Sequence, residues 1–169
     1  MNVIETIKKR RSIRKYEACR IPKEDFETML TAGMMAPSAT NSRPWSFIVL
    51  QDENIMEELA KVHPFARHIR QAKNAIVVNA IPDCQQGIGV GFWPQDCGAC
   101  IQNILLAAEE LGYKTCWCGI YPNERIQTPI AEILQLDSSV VPVALLVIGK
   151  SNEEPTARGF YDSTKVEWR

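Results

Sequence analysis

Four groups of residues in this chain have the types and spacing to do chemistry. The first is basic: Arg10, Arg11 and Arg14 surround Ser12. Arginine forks match phosphate oxygens two at a time and a serine hydroxyl adds a neutral donor, so the cluster suits a phosphorylated ligand. A solvated helix end accounts for the same residues, because cations there favour the negative end of the dipole. The second is the loop from Pro37 to Trp45, where Ser38, Thr40, Asn41 and Ser42 crowd donors and acceptors beside backbone amides. Such a loop can hydrogen-bond a polar heteroaromatic ring, although an ordinary capped turn has the same composition.

The third group is Cys97-x-x-Cys100 followed by Cys116-x-Cys118. Zinc ribbons set each pair on a tight turn, whereas here the first pair falls in an apolar helical run and the second in a strand pattern. The expectation is therefore small buried hydrophobes and no metal, with Cys116 and Cys118 on one strand face. A thiolate metal or redox protein built on these four cysteines is the alternative from a different functional class. The fourth group is Gly87, Gly89 and Gly91. Their spacing is G-x-G-x-G, no strand clearly precedes them, and Phe92, Trp93 and Pro94 stand where a helix would open, so a dinucleotide loop is not indicated. His63 and His68, five apart and without a placed acidic partner, read as surface residues. No Ser-His-Asp or paired-carboxylate pattern is present.

These groups need elements to position them. Val3, Ile4 and Ile7 recur at helical spacing before the basic turn. Phe26, Met29, Leu30 and Gly33 form one face of a second helix, which opens near Pro22 and stops before Pro37. Strands are expected over 47–50, 75–80, 115–120 and 143–148, and helices over 53–62 and 130–134. A long helix near Asp96 carries Cys100, Ile101, Ile104, Leu105, Ala108 and Leu111, and Gly112 ends it. The mixed order indicates an α+β or α/β fold. The stretch 151–169 is polar yet ends in Val166 and Trp168, as an extended arm would.

With 169 residues, 46% of them hydrophobic, one core can bury roughly 70% of the unfolded surface without metal or disulfide staples. No linker or repeat divides the chain, so 1–169 reads as a single domain. Nineteen Lys plus Arg against 20 Asp plus Glu leave no global attraction to nucleic acid. The apolar runs are too short to span a membrane, and no secretory signal is seen. A cytoplasmic protein with reduced thiols is expected.

Taken together, RRSIRKY at 10–16, APSATNSRPWSFIVL at 36–50, IQNILLAAEELGYKTCW at 101–117, CGIYP at 118–122 and PVALLVIGK at 142–150 resemble the nitroreductase family of FMN-dependent oxidoreductases, in its compact single-domain form. The resemblance implies an α+β sandwich, a central mixed or antiparallel sheet flanked by helices, in an intertwined homodimer with FMN at the subunit interface. It implies that Arg10, Arg11, Ser12 and Arg14 hold the FMN phosphate, ribityl chain and pyrimidine edge. Pro37, Ser38, Ala39 and Asn41 would come from the other subunit, and the terminal arm would wrap the partner. Trp117, Gly119 and Ile120 would lie against the ring, with the Gly119 N–H facing flavin N5, and Arg158 would reach the phosphate. The implied reaction is NAD(P)H-dependent, ping-pong hydride transfer through N5 to a small aromatic acceptor: nitroaromatic, quinone or flavin. No side chain need act as acid or base, since the cofactor carries the chemistry. A flavin-binding module without efficient turnover is a further reading, and residues 63–95 would shape the pocket.

Overall fold

The computed structural model describes residues 2–154, 156 and 159–169. Four strands form its sheet: β1 (Trp45–Leu50), β2 (Ala75–Ala80), β3 (Lys114–Gly119) and β4 (Val141–Gly149), in the order β1-β2-β4-β3 with every pair antiparallel. Among the described residues six α-helices accompany it: α1 (Val3–Lys9), α2 (Lys23–Met34), α3 (Glu53–Val62), α4 (Ile69–Ala72), α5 (Trp93–Glu110) and α6 (Glu124–Ile133). The sheet is antiparallel throughout, which settles the choice left open by the sequence.

The apolar runs of β2 and β4 explain why they are central. Both faces of these strands are covered, so neither can alternate with polar residues. Ile76, Val78, Ala144 and Leu146 pack on one side with Phe26 and Met29 of α2 and Ile101 and Ile104 of α5. Val77, Leu145 and Val147 pack on the other with Leu59 of α3, Ile69 of α4 and Ile130 of α6. The result is a sandwich of helices, sheet and helices. Between the two cores, buried Asn74 donates to the carbonyls of Cys19 and Ala72, while its own oxygen accepts from Ile21 N–H and Gln51. That one amide ties the extended segment after residue 16 to the foot of β2.

Some expectations shift by a turn. Helix α6 begins at Glu124, capped by the Asn123 side chain, and continues through Pro129, so it is longer than the apolar pattern at 130–134 suggests. Helix α5 opens at Trp93 with Pro94 in its first turn, where proline's missing N–H costs nothing. Phe92-Trp93-Pro94 is therefore a helix start, contrary to the sequence argument. Gly112 does end that helix, at φ 78°. Helix α1 exposes its apolar row Val3, Ile4 and Ile7 and buries Thr6 instead. The tail has exposed Phe160, Tyr161 and Trp168 and a single short turn at Ser163–Lys165 among its described residues.

Helices α2 and α5 approach most closely at Gly33, where an added Cβ would lie 2.7 Å from Ile104 Cγ1 and 3.1 Å from Cys100 Sγ. Alanine is the better helix former by about 1 kcal/mol, but overpacking a tight contact costs about 1–3 kcal/mol. Gly33→Ala should therefore destabilise the protein in urea denaturation despite its helix propensity, and a stabilised variant would show that the two helices can separate freely.

Candidate functional site

One edge of the sheet is β3, and its backbone sets the site. Ile120 N–H donates to Val143, and the pairing with β4 uses the alternate residues, so Thr115, Trp117 and Gly119 turn their backbone groups outward. Thr115 O accepts from Ile13 N–H, and Gly119 O lies 3.1 Å from His63 Nε2. The basic segment thus runs alongside this edge: Ser12 bridges Thr115 in parallel sense, and Arg14 continues toward Trp117. Arg10 and Arg11 are half-buried, Ser12 and Arg14 exposed.

Arg14, Trp117, Gly119, Cys116 and Cys118 line one cavity of about 590 Å³, closed on the far side by the turn from His63 to His68. A Cβ at Gly119 would meet nothing within 4 Å, so the face of β3 there is a shelf of bare backbone beside open space, while its edge carbonyl is held by His63. A flat ring that needs in-plane hydrogen-bond partners and an anionic tail would suit such a shelf beside arginines. The Ile120 side chain is fully buried in the core and its N–H is taken by Val143.

The loop Pro37–Asn41 lies at the same end of the sheet but on the opposite edge, immediately before β1. With strands about 4.8 Å apart, three spacings separate β1 from β3 by roughly 14 Å. Within one chain the fold therefore does not bring Pro37, Ser38, Ala39 and Asn41 into the cavity with Arg14. The loop itself is tightly built. Thr40, Asn41 and Arg43 all have positive φ, between 50° and 56°, a region that a β-branched residue such as Thr seldom occupies. Ser38 Oγ accepts from Arg43 N–H, and Asn41 Oδ1 from Arg43 Nε. Buried Asp96, in the first turn of α5, accepts from Ala39 N–H and from the Gln85 amide, while Gln85 accepts from the N–H groups of Gly91 and Trp93. Gly89 fits against Thr40, with space for no side chain. The glycine stretch is a buttress for the loop.

Sequence reasoning missed the two histidines. His63 is buried, not on the surface: its Nε2–H donates to Gly119 O, and its Nδ1 accepts from Phe65 N–H. Those partners fix the neutral tautomer, and burial pushes its pKa below the ordinary 6.5, outweighing the carbonyl's opposing pull. His68 is half-buried, stacked on Tyr16 at 5.8 Å, and faces Cys118. No period or motif around 63–72 signals this; the spacing of five becomes meaningful only because the chain turns between the two. The cysteines also divide. Cys97 and Cys100 lie in the core on the α5 side, with pKa values pushed up to about 12 by burial, while Cys116 and Cys118 lie on the other side of the sheet. A shared four-cysteine site is excluded by the intervening sheet. Arg158 lies outside the described residues.

The chain matches the Nitroreductase family model over residues 7–77 and 70–150, and it belongs to that family. It is 38% identical over 168 residues to a Methanothermobacter thermautotrophicus protein provisionally named NADH dehydrogenase/NAD(P)H nitroreductase, covering 98% of this chain and 86% of the relative. A solved structure from Parabacteroides distasonis under the same provisional name superimposes with a TM-score of 0.92 at 31% identity, over 98% of this chain and 96% of that one. An FMN-dependent nitroreductase from Clostridium difficile gives 0.88 at 30% identity, over 98% of both chains.

Two outcomes follow from this geometry. Because the folded protein disfavours His63 protonation, the unfolded chain binds more protons below pH 6.5, and stability falls as the pH is lowered. The urea midpoint should drop between pH 7 and pH 5, and drop less in His63→Gln; equal drops would remove His63 as the group responsible. Asp96→Ala leaves Ala39 N–H and the Gln85 amide unpaired, at about 1–3 kcal/mol. Hydrogen exchange should quicken across 38–43 while the β2 and β4 amides stay protected.

Proposed function

We propose that this protein is an NAD(P)H-dependent FMN oxidoreductase, a homodimer whose two FMN sites are each built from both subunits. The observation that carries this reading is the bare backbone shelf at Gly119 beside Arg14. Arg10, Arg11, Ser12 and Arg14, with Arg158, would hold the phosphate and ribityl chain. Gly119 N–H and Trp117 would meet the ring, with Ile120 fixing the shelf from beneath. When bound, FMN supplies two-electron chemistry, accepting reducing equivalents from NAD(P)H and passing them to a nitroaromatic, quinone or flavin acceptor. The name of the Clostridium difficile relative supports FMN, and the names of the other two support the nicotinamide reductant.

The chain's own groups act by position and charge. Arg14, which lines the cavity beside Trp117 and Gly119, would hold a fixed positive charge next to a bound ring, a preorganised field that requires no movement. Neutral His63 holds Gly119 O, which keeps the adjacent N–H aimed outward at the shelf. The opposite-edge position of Pro37, Ser38, Ala39 and Asn41 supports their donation to a second subunit's cavity. So do the exposed Val3, Ile4 and Ile7 of α1, with Val3 sharing a groove with exposed Met35, an apolar surface that a partner and its arm would cover.

The purified protein should carry FMN near one per chain, identified by chromatography after denaturation. Arg14→Ala should weaken FMN retention roughly tenfold to a hundredfold, the equivalent of about 1.5–3 kcal/mol for a hydrogen bond to a charged group. Asn41→Ala should weaken it as well. Mixed dimers of Arg14→Ala with Asn41→Ala subunits should regain one intact site of two; no recovery would place both residues in the same chain's site. A protein that neither carries nor takes up FMN would overturn the reading altogether.

A further inference from the structure

Cys116 and Cys118 point to the same side of β3, with their sulfurs 4.0 Å apart, and His68 Nε2 lies 3.9 Å from Cys118 Sγ. All three ligand atoms lie within 4.8 Å of one another. A tetrahedral zinc ion with bonds of about 2.3 Å to sulfur and about 2.0–2.1 Å to nitrogen holds two sulfurs about 3.8 Å apart and a sulfur and nitrogen about 3.6 Å apart. The cluster is therefore within a few tenths of an ångström of a three-ligand bite for its two measured spacings. We propose that His68, Cys116 and Cys118 form a binding site for a soft d10 cation such as Zn²⁺, with its fourth position open to the cavity.

The surroundings favour this over other uses of the same atoms. A disulfide would need the sulfurs at about 2.05 Å and favours a Cα separation of about 5.5–6 Å, whereas strand residues two apart span about 6.4–6.8 Å, at the upper limit of what a disulfide bridges. Closing it would distort a strand paired to β4 at Cys116↔Val147 and Cys118↔Leu145. A metal bridges the sulfurs where they are. Thiolates and imidazole are the donors such a cation prefers. Tyr16, whose hydroxyl donates to Ile13 and Val147 carbonyls, stacks on the His68 ring and fixes its orientation, as outer partners of metal ligands do. On binding, two metal–sulfur bonds and one metal–nitrogen bond form, and any remaining thiol proton passes to solvent.

The test needs no flavin readout. Of the six thiols, two should become protected from a thiol reagent when Zn²⁺ is added to the native protein with its flavin content measured in parallel. Zinc bound per chain, read against a chromophoric chelator, should reach one. Cys118→Ser and His68→Ala should each lower zinc affinity by more than the roughly 10–100-fold that loss of an outer partner costs. Cys84→Ser, at an exposed thiol, should leave it unchanged. No protected thiols in the wild-type protein, or equal zinc affinity in all three variants, would overturn the proposal whether or not the protein binds flavin.

Discussion

Everything at the site depends on β4 having no exposed face. Its residues from Pro142 to Gly149 are buried, and such a strand is stable only with a neighbour on each side and helices above and below. That requirement puts β2 against one edge of β4 and β3 against the other, and it makes β3 an outer strand. An outer strand normally needs protection from further pairing. Here Ile13 and the basic segment occupy the edge at Thr115 and His63 holds it at Gly119, and what is left open is the face of β3 at Gly119.

The same topology separates the two polar clusters. Because β1 and β3 are the outermost strands, the phosphate-type cluster beside β3 and the hydrogen-bonding loop before β1 stand apart by the width of the sheet. The loop is held by Asp96 at the start of α5, and α5 reaches across the same end of the sheet, its Trp93 ring meeting Tyr121 just after β3 at 4.6 Å. One helix start thus fixes both edges relative to each other. In the proposed dimer the loop of one chain would meet the shelf of the other, and the exposed apolar surface on α1 and the braced loop would then share one explanation.

Much of this was legible from sequence where the signal was local and periodic. Helix α3, strand β2 and the stop at Gly112 follow from pattern alone, and the side shared by Cys116 and Cys118 follows from strand alternation. The motifs at 10–16 and 36–50 pointed to the family, which the match over residues 7–77 and 70–150 bears out. What escaped notice was set by tertiary contacts. His63 and His68 lie in a turn without periodicity, so their burial depends on β3, more than 40 positions away. Asp96 and Gln85 look like ordinary polar residues until the loop they anchor is in place. Helix α1 misled in the opposite direction, since an amphipathic pattern says that one face is apolar but not whether the same chain covers it.

The cysteines show how the two kinds of information combine. Spacing alone suggested a four-thiolate set and geometry divides it, because a pair in the α5 core and a pair beneath β3 have a sheet between them. The division leaves Cys97 and Cys100 as inert packing groups, while Cys116 and Cys118 gain a histidine that no spacing rule associates with them. A strand holds alternate side chains at a fixed separation too long for an easy disulfide and well matched to a shared metal. The chemistry available to the pair is thus a property of the strand, and His68 is within reach only because the turn that buries His63 against Gly119 carries it there.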